Sequence, residues 1–89
     1  MNGSELAMSE WSWLLNNKQE LKFVYTNYKD VTKERYVGSP MSIEFMTGDA
    51  RFYHNNKPKF FLRAFDLEKQ EYRDFSLERI IIDPTQKEF

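Results

Sequence analysis

The chain has 89 residues, no cysteine and a formal net charge of −1. That length suits one domain, the missing cysteines exclude disulfides, thiolate metal sites and cysteine nucleophiles, and the near-neutral charge speaks against a protein that coats nucleic acid over its whole surface. No apolar run approaches the roughly 18 residues needed to cross a bilayer, and the first segment, with two acids and no base, lacks the positive start of a signal peptide, so the expected compartment is the cytoplasm and no membrane partner is expected.

The first expected element is a helix over residues 5–16. Ala7, Trp11, Leu14 and Leu15 fall on one face at helical spacing, Ser4 or Ser9 can cap the start, and Asn16-Asn17 ends it. A helix this short is not stable alone, so its tryptophan face is expected to dock on a sheet. From Glu20 the period changes to two: Leu21, Phe23 and Tyr25 alternate with Lys22, Val24 and Thr26, the pattern of a half-buried strand. Residues 27–32 supply turn chemistry. A second strand over 33–37 meets Gly38-Ser39-Pro40, where proline has no donor and the strand bends or ends. Strand pattern resumes over 41–46, and Thr47-Gly48-Asp49 turns. Arg51-Phe52-Tyr53 is expected to start another short strand, before the polar loop His54-Asn55-Asn56-Lys57-Pro58. Residues 59–65 form the strongest strand, 66–71 a hairpin, and 72–75 and 80–82 the last strands before Asp83-Pro84.

One helix followed by five short, bent strands is a mainly β fold closing into a small barrel. Its expected interior is Phe23, Phe60, Leu62, Phe75 and Ile80. The division is 1–17 for the helix packed on the barrel, 18–84 for the barrel and 85–89 for a tail. Eight Phe, five Tyr and two Trp give so small a core large rings to bury.

Charge is distributed unevenly. Residues 18–63 hold nine Lys/Arg against five Asp/Glu, whereas residues 64–89 hold four against seven. A central basic zone offers a binding face or simply solvated strand edges. Within 59–66, alternation places Phe60, Leu62 and Ala64 on one face and Lys59, Phe61, Arg63 and Phe65 on the other. The second set interleaves cations with rings, as a surface that stacks bases and pairs phosphates would. Arg63 is the leading ligand residue; the competing reading is an ion pair with Asp66, Glu78 or another acid. Arg35, ahead of the proline bend, can join the cluster. Arg73 shares parity with Phe75 and Leu77, so it either points to a barrel mouth or lies in a bulged hairpin. Tyr25 is expected in the core with its hydroxyl at the rim. His54 has no companions at metal or catalytic spacing. No Gly-rich phosphate loop and no recognisable acid/base motif occurs, so neither enzyme activity nor a cofactor is expected.

Three stretches together resemble a known family. They are Leu21-Lys22-Phe23-Val24-Tyr25; Arg35-Tyr36-Val37 shortly before Pro40 and Ile43; and Phe60-Phe61-Leu62-Arg63-Ala64-Phe65-Asp66 followed by Tyr72-Arg73-Asp74-Phe75-Ser76-Leu77-Glu78-Arg79-Ile80. Their order and spacing resemble the WYL domain over about residues 12–82, with Phe60-Phe61-Leu62 standing where the family has Trp-Tyr-Leu. The Arg-x-Phe-x-Leu-x-Arg-Ile pattern is met in full from Arg73 to Ile80. The resemblance implies an Sm-like or SH3-like barrel, of a kind usually appended to a winged helix in bacterial regulators, here expected to stand without one. It also implies a non-catalytic module that binds single-stranded RNA or DNA, or a nucleotide-like ligand, and regulates a larger nucleic-acid-processing or transcription machine. Arg63, Arg73, Phe61, Lys59, Arg35 and Arg79 are the candidate contacts, with Arg79 the one whose family position more often anchors a turn. The competing expectation is a protein-interaction or oligomerisation module using the same face or the Trp11/Trp13 helix.

Overall fold

The computed structural model describes residues 1–48 and 57–86. The chain is mainly β: a helix α1 (Met8–Asn17) precedes five strands, β1 (Glu20–Thr26), β2 (Thr32–Met46), β3 (Lys59–Asp66), β4 (Glu71–Ser76) and β5 (Ile80–Ile81). They form one antiparallel sheet in the order β4-β3-β2-β1-β5, curled into a small barrel-like fold. A 3₁₀ turn at Leu77–Arg79 links the two edge strands.

Curling depends on β2. Its first half pairs with β1 and its second half with β3, and the register shifts between Gly38 and Ser42. The two short strands expected on either side of Gly38-Ser39-Pro40 are therefore one bent strand of 15 residues. A bulge of this kind sharpens twist and turns a sheet corner. Gly38 also lets the hairpin beyond β3 approach, because a Cβ there would lie 3.3 Å from Leu67 Cδ2. The β1–β2 connection is built by Asn27, whose Oδ1 accepts the N–H of Lys29 and of Val31, and by Asp30 at φ 61°. Asn and Asp suit such turns because their side chains satisfy local backbone donors and tolerate left-handed geometry.

The core contains Leu21, Phe23 and Tyr25 from β1, Val37 from β2, Leu62 and Ala64 from β3, Phe75 from β4, then Leu77, Ile80 and Ile82. Phe23, Tyr25 and Phe75 meet edge to face, with centroids 5.1–6.4 Å apart. Four of the five expected interior residues are inside. Phe60 is the exception, at 43% exposed. It lies one residue into β3 and pairs with Phe45, one residue from the end of β2, so both rings project past the end of the core layer.

The helix starts three residues later than expected. Ser4 cannot cap it, because Ser4 Oγ donates to Asn2 Oδ1 at 2.6 Å while Gly3 N–H donates to Ile80 O. Ala7 stands at the N-cap instead, and the Glu10 carboxylate accepts its N–H at 3.2 Å. Trp11 and Leu14 are fully buried against the sheet, and Leu15 packs beside them; Ala7 is exposed. The Trp11 Nε1–H donates to Gly3 O at 2.8 Å. At the other terminus, Gln86 accepts from Lys22 N and donates to Lys22 O, supplying the ladder contacts that β5 is too short to make. No helix among the described residues is long and apolar enough to cross a membrane.

Candidate ligand cavity

The end of β1, the first part and the end of β2, β3 and β4 meet around a cavity of about 570 Å³. Its floor is made by the buried side chains of Tyr25, Arg35, Phe61 and Phe75, and exposed Tyr28, Glu71, Tyr72 and Asp74 stand at its rim. Five aromatic rings and two arginines, Arg35 and Arg73, thus face one space.

Arg35 is the unusual residue. It shares parity with Val37, which points it inward, and it is only 6% exposed. Its Nη1 lies 3.5 Å from Asp66 Oδ2, and Asp66 is 1% exposed. Asp66 Oδ1 accepts the backbone N–H of Glu68 and Lys69, which holds the carboxylate in place in the hairpin. Arg35 Nε and Nη1 and Asp66 Oδ2 nevertheless have no hydrogen-bond partner. Buried polar atoms left in this state cost about 1–3 kcal/mol each. Tyr25 adds a second donor: its hydroxyl accepts the Ser76 N–H at 3.1 Å, leaving its own proton to give.

The six residues singled out from the sequence do not form one face. Arg35, Phe61 and Arg73 line the cavity. Arg73 stands opposite Ala64 in an unbroken β3–β4 ladder, which removes the bulge alternative and leaves it at the mouth, 3.3 Å from Glu71. Phe61 is 1% exposed, not part of an open stacking surface. The end of β2 lies along that side of β3, where Met46 Sδ comes 3.6 Å from Arg63 Nη2. Arg63 itself is exposed and lies directly across the ladder from Asp74, to which its Nε donates at 2.9 Å. That hydrogen bond, with the Asp74 charge, raises the Arg63 pKa above its ordinary value. Arg63 thus has an acid partner, but neither Asp66 nor Glu78.

Lys59 pairs with Glu78 at 2.8 Å and lines a different, smaller hollow with Phe45, Phe60, Pro58 and Met8. Arg79 Nη1 donates to the carbonyls of Thr26 and Asn27 and so ties the turn after β1 to the 3₁₀ turn. The expected short strand at 51–53 and His54 lie outside the described residues. No cluster of three potential metal ligands occurs among the described residues.

Sequence reasoning gave Tyr25 a core role and overlooked Tyr28 and Tyr72 as cavity residues. It named Asp66 among the acids that could pair with Arg63 and did not connect it with Arg35. The parity signal was present, since Asp66 shares a face with Leu62 and Ala64, but only the fold sets Asp66 across from Val37 and so within reach of Arg35. Comparisons with protein-family models, curated proteins and solved structures find no match, so the residues and the cavity they build carry the functional reading.

Proposed function

We propose that this chain is a non-catalytic, WYL-like regulatory module of the cytoplasm whose cavity binds single-stranded nucleic acid or a nucleotide-like anion. The observation that carries the reading is the cavity lining: five aromatic rings together with Arg35, buried beside Asp66, and Arg73 at the mouth. A planar guanidinium pairs with phosphate oxygens through a fixed fork of donors. Aromatic walls accept the flat face of a base, and such stacking is worth about 1–3 kcal/mol. Binding would be communicated to a larger nucleic-acid-processing partner through the exposed surface around the cavity.

The direct test is fluorescence anisotropy with labelled single-stranded DNA and RNA across a salt series. Arg73→Ala, at the mouth and half exposed, is expected to weaken binding about tenfold or more, in line with loss of one charge-assisted contact. Arg63→Ala, outside the lining, is expected to have a smaller effect. Absence of binding by any strand or nucleotide at low salt would remove the reading.

One observation favours a second reading, a protein-interaction module. Phe45 and Phe60 meet at a tilt of 39° with centroids 4.6 Å apart while remaining 60% and 43% exposed, beside exposed Met8. Exposed apolar clusters of this sort commonly mark contact sites. Recovery of a protein partner that is lost on Phe60→Ser, with no nucleic-acid binding, would put this reading first.

A further inference from the structure

We infer that two copies of this chain associate through β4, pairing antiparallel about a two-fold axis at Tyr72 and so joining their sheets. The edge of the sheet at β5 is covered by the chain itself. Met1 N and Ile82 N each donate to the other residue's carbonyl, and Gly3 N–H donates to Ile80 O. Where β5 stops, Gln86 holds the N–H and carbonyl of Lys22. Among the described residues, no strand pairs with β4 on the side away from β3. Which backbone groups face that side follows from Ser76. Its N–H donates to the Tyr25 hydroxyl, so Ser76 and Phe61 oppose each other without exchanging backbone hydrogen bonds. Such pairs alternate with bonded ones along an antiparallel ladder. Tyr72 and Asp74 therefore turn their N–H and C=O groups away from β3, which makes that edge a template for another strand. Glu71, Tyr72, Arg73 and Asp74 all border the cavity, so the space beside them is open.

Side chains select both the occupant and the register. A two-fold axis at Arg73 would set Arg73 against the partner's Arg73. An axis at Asp74 would set two Asp74 carboxylates face to face and would call on the Ser76 N–H that Tyr25 already takes. Like charges directly opposite destabilise a strand pair. An axis at Tyr72 instead sets each Glu71 against the partner's Arg73, in the type of pair whose side chains come closest. Within one chain Arg73 Nη1 lies 3.3 Å from Glu71 Oε1, so pairing would give each guanidinium two carboxylates. On the other face Tyr72 is 60% exposed and meets Phe65 edge to face at 5.1 Å. Set against the partner's Tyr72, it continues a line of four rings across the axis. The edge is complementary to itself in charge and in ring contact, which argues for a second copy. This pairing uses rim residues of the cavity and not its floor, and it does not rest on what the cavity binds.

The experiment is sedimentation velocity of the full chain over a concentration series from about 10 μM to about 1 mM, the range in which a short edge contact associates. A reversible monomer–dimer equilibrium is expected. Glu71→Arg and Arg73→Glu each set like charges across the axis at two places, and each alone is expected to weaken the dimer about tenfold or more. Mixed in equal amounts, the two variants regain opposite charges at both places, so they are expected to form a mixed dimer as strong as the unaltered one. The double variant Glu71→Arg with Arg73→Glu is expected to dimerise likewise. Circular dichroism checks that each variant keeps the fold, which substitutions at these accessible positions are expected to leave intact. A chain that stays monomeric throughout the series would overturn the inference. So would a dimer that withstands both single changes. Loss of the dimer in both single variants without recovery in their mixture would overturn the register centred on Tyr72.

Discussion

Arg35 and Asp66 form a buried ion pair whose geometry costs the fold. Both are almost wholly buried, and their closest approach is 3.5 Å without a hydrogen bond from Nη1. Removing one member of a buried ion pair strands the other charge, typically at about 3–5 kcal/mol, whereas replacing both with apolar residues is often neutral or better. Arg35→Met and Asp66→Leu are therefore each expected to destabilise strongly, and the double variant to recover part of the loss, short of the two hairpin hydrogen bonds that Asp66 Oδ1 accepts. Urea denaturation of the three variants measures the coupling; additive losses would show that the pair is not acting as one unit. Gly3 is a residue-scale constraint of a different kind. A Cβ there would lie 2.7 Å from Leu77 O and 3.2 Å from both Ile80 Cβ and Trp11 Cζ2. Backbone cannot yield as a flexible side chain can, so Gly3→Ala is expected to lower stability by about 1–3 kcal/mol, the usual range for overpacking. An unchanged denaturation midpoint would contradict that.

The helix is the element whose existence depends most on its surroundings. Ten residues are too few to hold helical structure in water, and its capping rests on one carboxylate at 3.2 Å. What fixes it is the Trp11 ring, fully buried between the sheet and the segment before the helix, with its Nε1–H spent on Gly3 O. Trp11→Ala is expected to cost about 3–5 kcal/mol, as deletion of a large core aromatic does, while Trp13→Ala, at a site 53% exposed, is expected to change the midpoint little. Thermal denaturation distinguishes the two. The helix itself was legible from the spacing of Trp11 and Leu14. Its start was not, because Asn2, Gly3 and Ser4 are occupied by contacts to one another and to residues about 75 positions away, which no local capping pattern contains.

At the scale of the whole molecule, α1 and the strands share one core: Trp11 and Leu14 belong to the same cluster as Phe23, Leu62, Phe75 and Ile80. A single cluster predicts a single cooperative transition. In a Trp13→Phe background, fluorescence of Trp11 and far-ultraviolet dichroism are expected to report the same midpoint. A fluorescence change preceding loss of the sheet signal would mean that the helix undocks as a separate unit. The Arg63–Asp74 and Lys59–Glu78 pairs lie on the surface and are expected to contribute little to that transition, since solvent screens exposed ion pairs.

The amino-acid sequence by itself determined the fold class, because strand and helix periods are local: Leu21, Phe23 and Tyr25 alternate whatever their partners are, and Trp11 and Leu14 keep helical spacing. It determined also that Phe23, Leu62, Phe75 and Ile80 would be inside. Tertiary structure decided the rest. Alternation assigns a residue to a face but does not say how far along the strand the core extends, so Phe60 was placed inside and Phe61 on an open surface, the reverse of their exposure. Nor does a linear pattern say which acid meets which cation. Arg63 met Asp74 through the β3–β4 register, and Arg35 met Asp66 only because β2 bends between Gly38 and Ser42 and pairs with both neighbours. The cavity follows from that bend, since its floor is drawn from four strands that only a curled sheet brings together.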